Sequence, residues 1–335
     1  MTDTTKSCKR QLPRNSLCQV LALSGCARTT GTVISRLFGN LWHSRFFRSM
    51  SVVMIGTLAA QSIGCALAPV ISRLFTPSDF GVLGSFGSIL SVGTAFVTLQ
   101  YSQAIVLPRS DGDAANLFAA SLISVLVITL AGLLVAYVFS EWLLGLLGAP
   151  DLTWLLWLLP LGICVAGIHQ SSQAWCIRRR AFSKTATSQI IRSGSISALQ
   201  ILLGMLRWSA GGLITGSLVG DGIAGLSLSR HVFGADRRLL RESVNWRQTW
   251  RLAKEYREFP VYSATQNAMN ALSQGLPVLL LAHFHGLAVA GAYAFCHRVL
   301  QVPMGLVLTA LRQVLFQRAS EVCNEGGRLL PLFLK

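Results

Sequence analysis

Charge is scarce in this chain. Only 13% of its 335 residues are Asp, Glu, Lys or Arg, where a soluble domain carries about 25%. Acids are the scarcer sign, 13 against 29 Lys and Arg, which leaves a formal net charge of +16. So few charges could not solvate the surface of an ordinary soluble domain. The motifs of soluble enzymes are missing as well. No Ser/His/Asp set can be assigned as a triad, no Gly-rich phosphate loop follows a strand, and no His/Cys/Asp cluster has metal-ligand spacing. The eight cysteines fall without paired or metal spacing. Cys65, Cys164, Cys176 and Cys296 lie in or beside apolar stretches, where a free Cys acts as a small hydrophobe. No catalytic residue, cofactor, metal site or disulfide is therefore expected.

What is present is apolar length. The composition is 52% hydrophobic, with a mean hydropathy of +0.53. From Met50 onward the apolar residues gather into segments of roughly 20, enough for a helix to cross a bilayer core of roughly 30 Å. The predicted spans are 51–72, 82–106, 117–140, 152–175, 188–208, 210–230, 260–284 and 286–309. A ninth opens near Thr309 and meets Arg312, Gln317 and Arg318. The expected fold is an all-α polytopic transmembrane helix bundle.

Basic residues alternate from side to side. With the N-terminus cytoplasmic, the loops 107–116, 176–187 and 231–259 face the cytoplasm. They carry Arg109, then Arg178, Arg179, Arg180 and Lys184, then Arg237, Arg238, Arg241, Arg247, Arg251, Lys254 and Arg257. The opposite loops offer only Arg73 and Arg207. Cytoplasmic loops of membrane proteins are enriched in Lys and Arg, so this pattern supports the assigned number of spans. It also accounts for the basic pI without a nucleic-acid partner. The Arg178–Arg180 run reads as a topogenic cluster at the anionic leaflet. Trp142, Trp154, Trp157 and Trp208 read as interfacial anchors.

Four segments are expected. Residues 1–49 form a basic tail, read as disordered and cytoplasmic, with eight Lys and Arg from Lys6 to Arg48 against Asp3 alone. Residues 50–231 form a first six-helix lobe, 232–259 a basic cytoplasmic linker, and 260–335 a partial second lobe. Inside the spans, Thr76-Pro77-Ser78-Asp79 supplies capping groups and a Pro before the second span. Gly216 and Gly220 fit a small-xxx-small helix contact.

Ionisable side chains inside a membrane are costly and mark a functional site or a buried pair. Asp221 lies in the sixth span; it is a candidate cation- or proton-coupling carboxylate, or else a structural hydrogen-bond partner. Arg192, one turn into the fifth span, is a candidate anion contact, although snorkelling to the cytoplasmic face explains it more simply. Arg298 lies within the eighth span between apolar neighbours, so snorkelling explains it less well, and a guanidinium can clamp a phosphate with two bonds. His297 and Gln266 complete the candidate substrate-binding set. His169, Gln170 and Asn267 fit helix–helix hydrogen bonding better than a transport path.

Three stretches resemble the polysaccharide biosynthesis family of lipid-linked oligosaccharide flippases, within the multidrug/oligosaccharidyl-lipid/polysaccharide exporter superfamily. The first is Ile71-Ser72-Arg73-Leu74-Phe75-Thr76-Pro77-Ser78-Asp79-Phe80-Gly81. The second is Ala104-Ile105-Val106-Leu107-Pro108-Arg109 followed by Asp111-Gly112-Asp113-Ala114-Ala115-Asn116. The third comprises Tyr256-Arg257-Glu258-Phe259-Pro260, Leu272-Ser273-Gln274 and His297-Arg298-Val299-Leu300-Gln301-Val302-Pro303. They occur in order, and the likeness runs from about residue 45 to the end.

The resemblance implies a transporter of two six-helix lobes working by alternating access. Its cargo would be an undecaprenyl-pyrophosphate-linked oligosaccharide, moved to the periplasmic leaflet of the bacterial inner membrane for O-antigen, capsule or exopolysaccharide synthesis. Arg298 falls in a family motif and is the first candidate for the pyrophosphate. The partners implied are the polyprenyl-pyrophosphate-linked glycan and the bilayer, with a polysaccharide polymerase and chain-length regulator as neighbours. The family has twelve or more spans and this chain reaches about nine, so a C-terminally truncated second lobe is expected. The alternative readings are a drug-exporting or peptidoglycan-precursor relative, and an inactive fragment or non-transporting component of a polysaccharide assembly complex.

Overall fold

The computed structural model describes residues 45–141, 145, 154–301 and 304–305. Two compact units are Met1–Arg48 and Ser49–Lys335; the bundle described here is the second. Among the described residues there is no strand. The long helices are α1 (Arg45–Leu74), α2 (Pro77–Phe96), α4 (Asp111–Val138), α5 (Trp154–Arg178), α6 (Phe182–Met205), α7 (Ser209–Ala235) and α10 (Ala264–His285). Short helices are α3 (Tyr101–Ala104), α8 (Arg237–Ser243) and α9 (Trp246–Glu255), and a π-helical turn at Phe259–Ser263 leads into α10. Residues 287–301 form a further helix. Each of the eight predicted spans thus overlaps a helix over its described residues, while the ninth, and Trp142, lie outside the described residues.

Among the described residues, five segments are long and apolar enough to cross a membrane: Val52–Leu74, Pro77–Phe96, Asp111–Val138, Trp154–Arg178 and Ser209–Ala235. This is an all-α, multi-pass membrane protein. α6 is as long as these but more polar, because its polar side chains bond to neighbouring helices. Ser188 donates to the Ala224 carbonyl, Ser193 to the Ala60 carbonyl, and Gln200 Nε2 to the Leu213 carbonyl and the Ser217 hydroxyl. A polar residue is tolerated at membrane depth when another helix satisfies it.

The caps behave as the sequence implied. Thr76 and Asp79 form a reciprocal capping box at the start of α2, with Pro77 in its first turn. Asp79 also accepts from the Ser209 hydroxyl, which ties this turn to the start of α7. The second span, however, does not run through 82–106. It stops at Phe96, and Leu99 and Gln100 take left-handed φ of 46° and 58°. Side chains take up polar groups around this break: Gln100 Nε2 donates to the Ala95 carbonyl and Thr98 Oγ1 to Gln170 Oε1. Hydropathy cannot register such a break, since the residues around it stay apolar. Gln170, expected to bond between helices, thus accepts from the turn after α2.

Close helix contacts explain several glycines. A Cβ at Gly216 would sit 3.1 Å from the Gln200 backbone nitrogen, and one at Gly220 would sit 2.8 Å from that of Ile196. The small-xxx-small pair is therefore the α6–α7 crossing. At Gly81 a Cβ would strike the Leu287 carbonyl oxygen, and at Gly291 it would strike the Pro77 carbonyl oxygen. These two glycines join the first family-like stretch to the helix that carries His297 and Arg298.

The basic end is held together by two features. The segment 232–259 is largely folded: α7 continues to Ala235, and α8 and α9 follow. Asn116 of α4 holds them. Its Nδ2 donates to the Ser243 carbonyl, and its Oδ1 accepts from the Asn245 amide and the Thr249 hydroxyl. Leu240 and Leu252 are buried in a cluster with Leu117, Trp175 and Val232. Likewise Arg178 is not a free topogenic charge. Its side chain is only 9% exposed. It donates to the carbonyls of Ile105, Pro108 and Ser110 and to Asp111 Oδ1. Arg179 bridges Asp111 and Asp236, and Trp175 Nε1 also donates to Asp236. The loop 105–110 has too few partners of its own, and the fork of Arg178 supplies them. Arg180 remains exposed. Trp154, Trp157 and Trp208 are exposed large aromatics.

Candidate functional site

A cavity of about 360 Å³ is lined by α1, α6 and the helix over 287–301, with Phe80 of α2. Thr57, Gln61 and Cys65 come from α1, Gln189, Arg192 and Ser193 from α6, and Phe295 and Arg298 from the last helix. α1 and α6 meet closely here because Gly56 and Gly64 carry no side chain against Ala186 and Ser193. Ser193 Oγ donates to the Ala60 carbonyl across the same seam. Two of the predicted site residues, Arg192 and Arg298, thus line one cavity although they lie more than a hundred positions apart.

α6 begins at Phe182, not near Ser188, so Arg192 stands ten residues into the helix, about 15 Å along its axis. Its partner is Asp221. Nε lies 2.6 Å from Oδ1 and Nη2 lies 3.2 Å from Oδ2, a two-bond fork. The Gly216–Gly220 contact brings α7 close enough to α6 for this pair to form. The two side chains retain 44% and 22% exposure, so the pair sits at the wall of a space and not in a dry core.

His169 of α5 lies within electrostatic reach of both Arg192 and Asp221. Its Nδ1 is buried without a hydrogen-bond partner among the described residues. His169, expected to bond between helices, instead belongs to the neighbourhood of the ion pair.

Arg298 differs from Arg192. Among the described residues no carboxylate pairs with it, so its charge is open to a ligand in the cavity. Gln61 Oε1, on the α1 side, is also buried without a hydrogen-bond partner among the described residues. Sequence reasoning passed over Gln61 and Gln189, because a neutral amide in a span carries no charge penalty to draw notice. The remaining candidates fall elsewhere. His297 stacks on Tyr293 with ring centroids 5.8 Å apart and faces Gln301, off the cavity lining. Gln266 is exposed on α10. Among the described residues no cluster of His, Cys, Asp or Glu could hold a metal ion.

The arrangement offers one open guanidinium, one paired guanidinium and neutral amides within an apolar wall. Such a surface favours a phosphate or carboxylate attached to a larger, partly apolar molecule.

No solved structure matches this chain. The succinoglycan biosynthesis transport protein ExoT of Rhizobium meliloti (strain 1021) is 23% identical over 269 residues, covering 78% of this chain and 51% of that protein. The chain spans about half the length of this curated relative. Residues 70–335 match a family model described as polysaccharide biosynthesis protein. That match takes in most of the chain, including the capped turn at Thr76–Asp79, the Asp221–Arg192 pair and Arg298, and the chain belongs to the polysaccharide biosynthesis protein family.

Proposed function

We propose that this chain acts in exporting polysaccharide precursors, as a flippase for an undecaprenyl-pyrophosphate-linked oligosaccharide. The glycan would pass by alternating access from the cytoplasmic to the periplasmic leaflet of the bacterial inner membrane. The observation that carries this reading is Arg298, an unpaired guanidinium facing Arg192 across a cavity between an early helix pair and a late helix. Arg298 binds the pyrophosphate by a charge-assisted fork. Gln61 and Gln189 bond to sugar or phosphate oxygens, and Asp221 couples a cation to transport through its contact with Arg192. No step in this process requires covalent chemistry.

The family match and the name of the relative in succinoglycan biosynthesis transport support the substrate class. The basic end fits the cytoplasm by the positive-inside rule, which puts the N-terminus there too. Residues 50–231 then form one lobe, 232–259 its cytoplasmic connection and 260–335 the start of the second. The Gly81–Gly291 contact lies at the opposite, periplasmic end.

Complementation of a flippase-null strain tests the reading. Arg298→Ala at unchanged membrane expression is expected to lose surface polysaccharide, with lipid-linked precursor accumulating. Arg298→Lys keeps the charge but loses the fork, and should retain part of the activity. Full activity of the Ala variant sinks the assignment.

A further inference from the structure

α9 presents three faces to three environments. Thr249 and Leu252 are buried against the bundle, Thr249 on Asn116 and Leu252 in the apolar cluster at the basic end. At 3.6 residues per turn, Trp246 and Trp250 fall together on the adjoining face. Their rings stack with centroids 6.4 Å apart, yet they are 65% and 68% exposed. Arg247, Arg251 and Lys254 occupy the next sector and are exposed. Among the described residues none of the three has an ion-pair partner.

The level of α9 is fixed. Asn116, which holds it, is five residues into α4, about 8 Å from the start of a membrane-spanning helix. The Tyr101 hydroxyl donates to the Ala253 carbonyl at 3.1 Å, a second tie to the bundle. A stacked indole pair is thus held beside three cations near the start of a helix long and apolar enough to cross a membrane. Indoles favour the boundary between headgroups and acyl chains, and cations beside it attract anionic headgroups. An acidic protein segment would match Arg247, Arg251 and Lys254 but would leave the indole pair unburied.

We propose that α9 is a membrane-interface helix that recruits anionic phospholipid, with Trp246 and Trp250 seated at the headgroup boundary and Arg247, Arg251 and Lys254 on lipid phosphates. Because α9 lies between α7 and the helices from Phe259 onward, anionic lipid steadies the junction between the two sets of helices. Membrane charge thereby acts on their relative movement.

The test uses the full chain in nanodiscs of phosphatidylcholine and phosphatidylglycerol at fixed composition. Either one lipid or the other carries brominated acyl chains, which quench nearby tryptophan. The difference in emission between wild type and Trp246→Phe/Trp250→Phe isolates the α9 pair from the other six tryptophans of the eight in the chain. Both indoles are exposed, so this variant should fold. Brominated phosphatidylglycerol is expected to quench the pair at least about twofold more than brominated phosphatidylcholine. Arg247→Gln/Arg251→Gln/Lys254→Gln, or high salt, should erase that excess. Equal quenching by both lipids overturns the selection of anionic lipid. Quenching only by acrylamide in the water overturns membrane docking. Quenching by neither overturns it in favour of a protein segment or a second copy covering the indoles.

Discussion

Arg192 and Asp221 form a two-bond ion pair near the middle of the α6–α7 hairpin, 2.6 Å apart at the shorter bond, with one side chain lining the cavity. Each supplies the opposite charge that makes the other tolerable at membrane depth. Breaking the pair should therefore cost more than removing it. A fully buried pair that loses one partner costs about 3–5 kcal/mol. This one is partly exposed, so Asp221→Asn is expected to destabilise by about 1–3 kcal/mol. Arg192→Met/Asp221→Leu should recover most of that loss, since neither charge remains. Thermal unfolding in detergent measures both. If Asp221 couples a cation, Asp221→Asn should also flatten the pH or sodium dependence of transport. An unchanged dependence leaves Asp221 a structural role alone.

The pair depends on the close approach of its helices. A Cβ on Gly220 would lie 2.5 Å from Ile196 Cγ1 and 2.8 Å from its backbone nitrogen, and backbone yields little. Gly220→Ala should cost about 1–2 kcal/mol net, the overpacking exceeding the gain in helix propensity. Gly194, on α6, has no atom within 4 Å of an added Cβ. Gly194→Ala should be neutral or stabilising by up to about 1 kcal/mol. Similar melting temperatures for the two variants would mean that the α6–α7 crossing is looser than its geometry.

Much of this was legible in the sequence, for definite reasons. The long helices follow from apolar length, and the α2 cap follows from Thr76, Pro77 and Asp79, because both signals are local. Gly216 and Gly220 marked a helix contact, although nothing in the sequence named α6 as the partner. The Arg192–Asp221 pair was not legible as a pair. Each residue stood out alone, but 28 intervening residues hide a contact set by hairpin register. Placing the start of α6 at Ser188 also hid how far Arg192 stands into that helix, because Lys184 and Thr185 lower hydropathy without ending a helix. Arg178 looked like one of three equivalent charges. Its role depends on carbonyls some seventy positions away. Gln61 and Gln189 carried no signal at all.

Gly81 and Gly291 let backbone meet backbone where α2 and the helix over 287–301 cross. A Cβ on Gly291 would strike the Pro77 carbonyl oxygen and lie 2.7 Å from the Gly81 nitrogen. If this contact seals the periplasmic end of the cavity during transport, Gly291→Ala should open it. Cys65 lines the cavity and is exposed. In a background where it is the sole cysteine, an impermeant maleimide added from the periplasmic side should label it several-fold faster in Gly291→Ala. Gly87→Ala, also on α2 but with no atom near its added Cβ, should leave the rate unchanged. Equal rates in the two variants would remove the sealing role.

Arg178 and Arg180 are two residues apart and carry the same charge, yet they should respond oppositely to substitution. Arg178 makes four hydrogen bonds from a side chain that is nearly buried, three of them to the carbonyls of Ile105, Pro108 and Ser110. Ser110 also accepts from the Ala114 amide, so removing Arg178 strips a donor chiefly from Ile105 and Pro108, at about 1–3 kcal/mol in all once water reaches the outer one. Arg178→Lys keeps the positive charge but offers a single ammonium in place of a planar fork, so it should recover little stability. A merely topogenic residue would behave differently, since any cation holds the leaflet equally well. Arg180→Ala should change thermal unfolding by less than about 0.5 kcal/mol, as expected for an exposed side chain. Full rescue of Arg178→Ala by lysine at the same site would return the whole run to a role in topology. Failure of lysine, together with an inert Arg180→Ala, would make Arg178 the residue that fastens the 105–110 loop to α5.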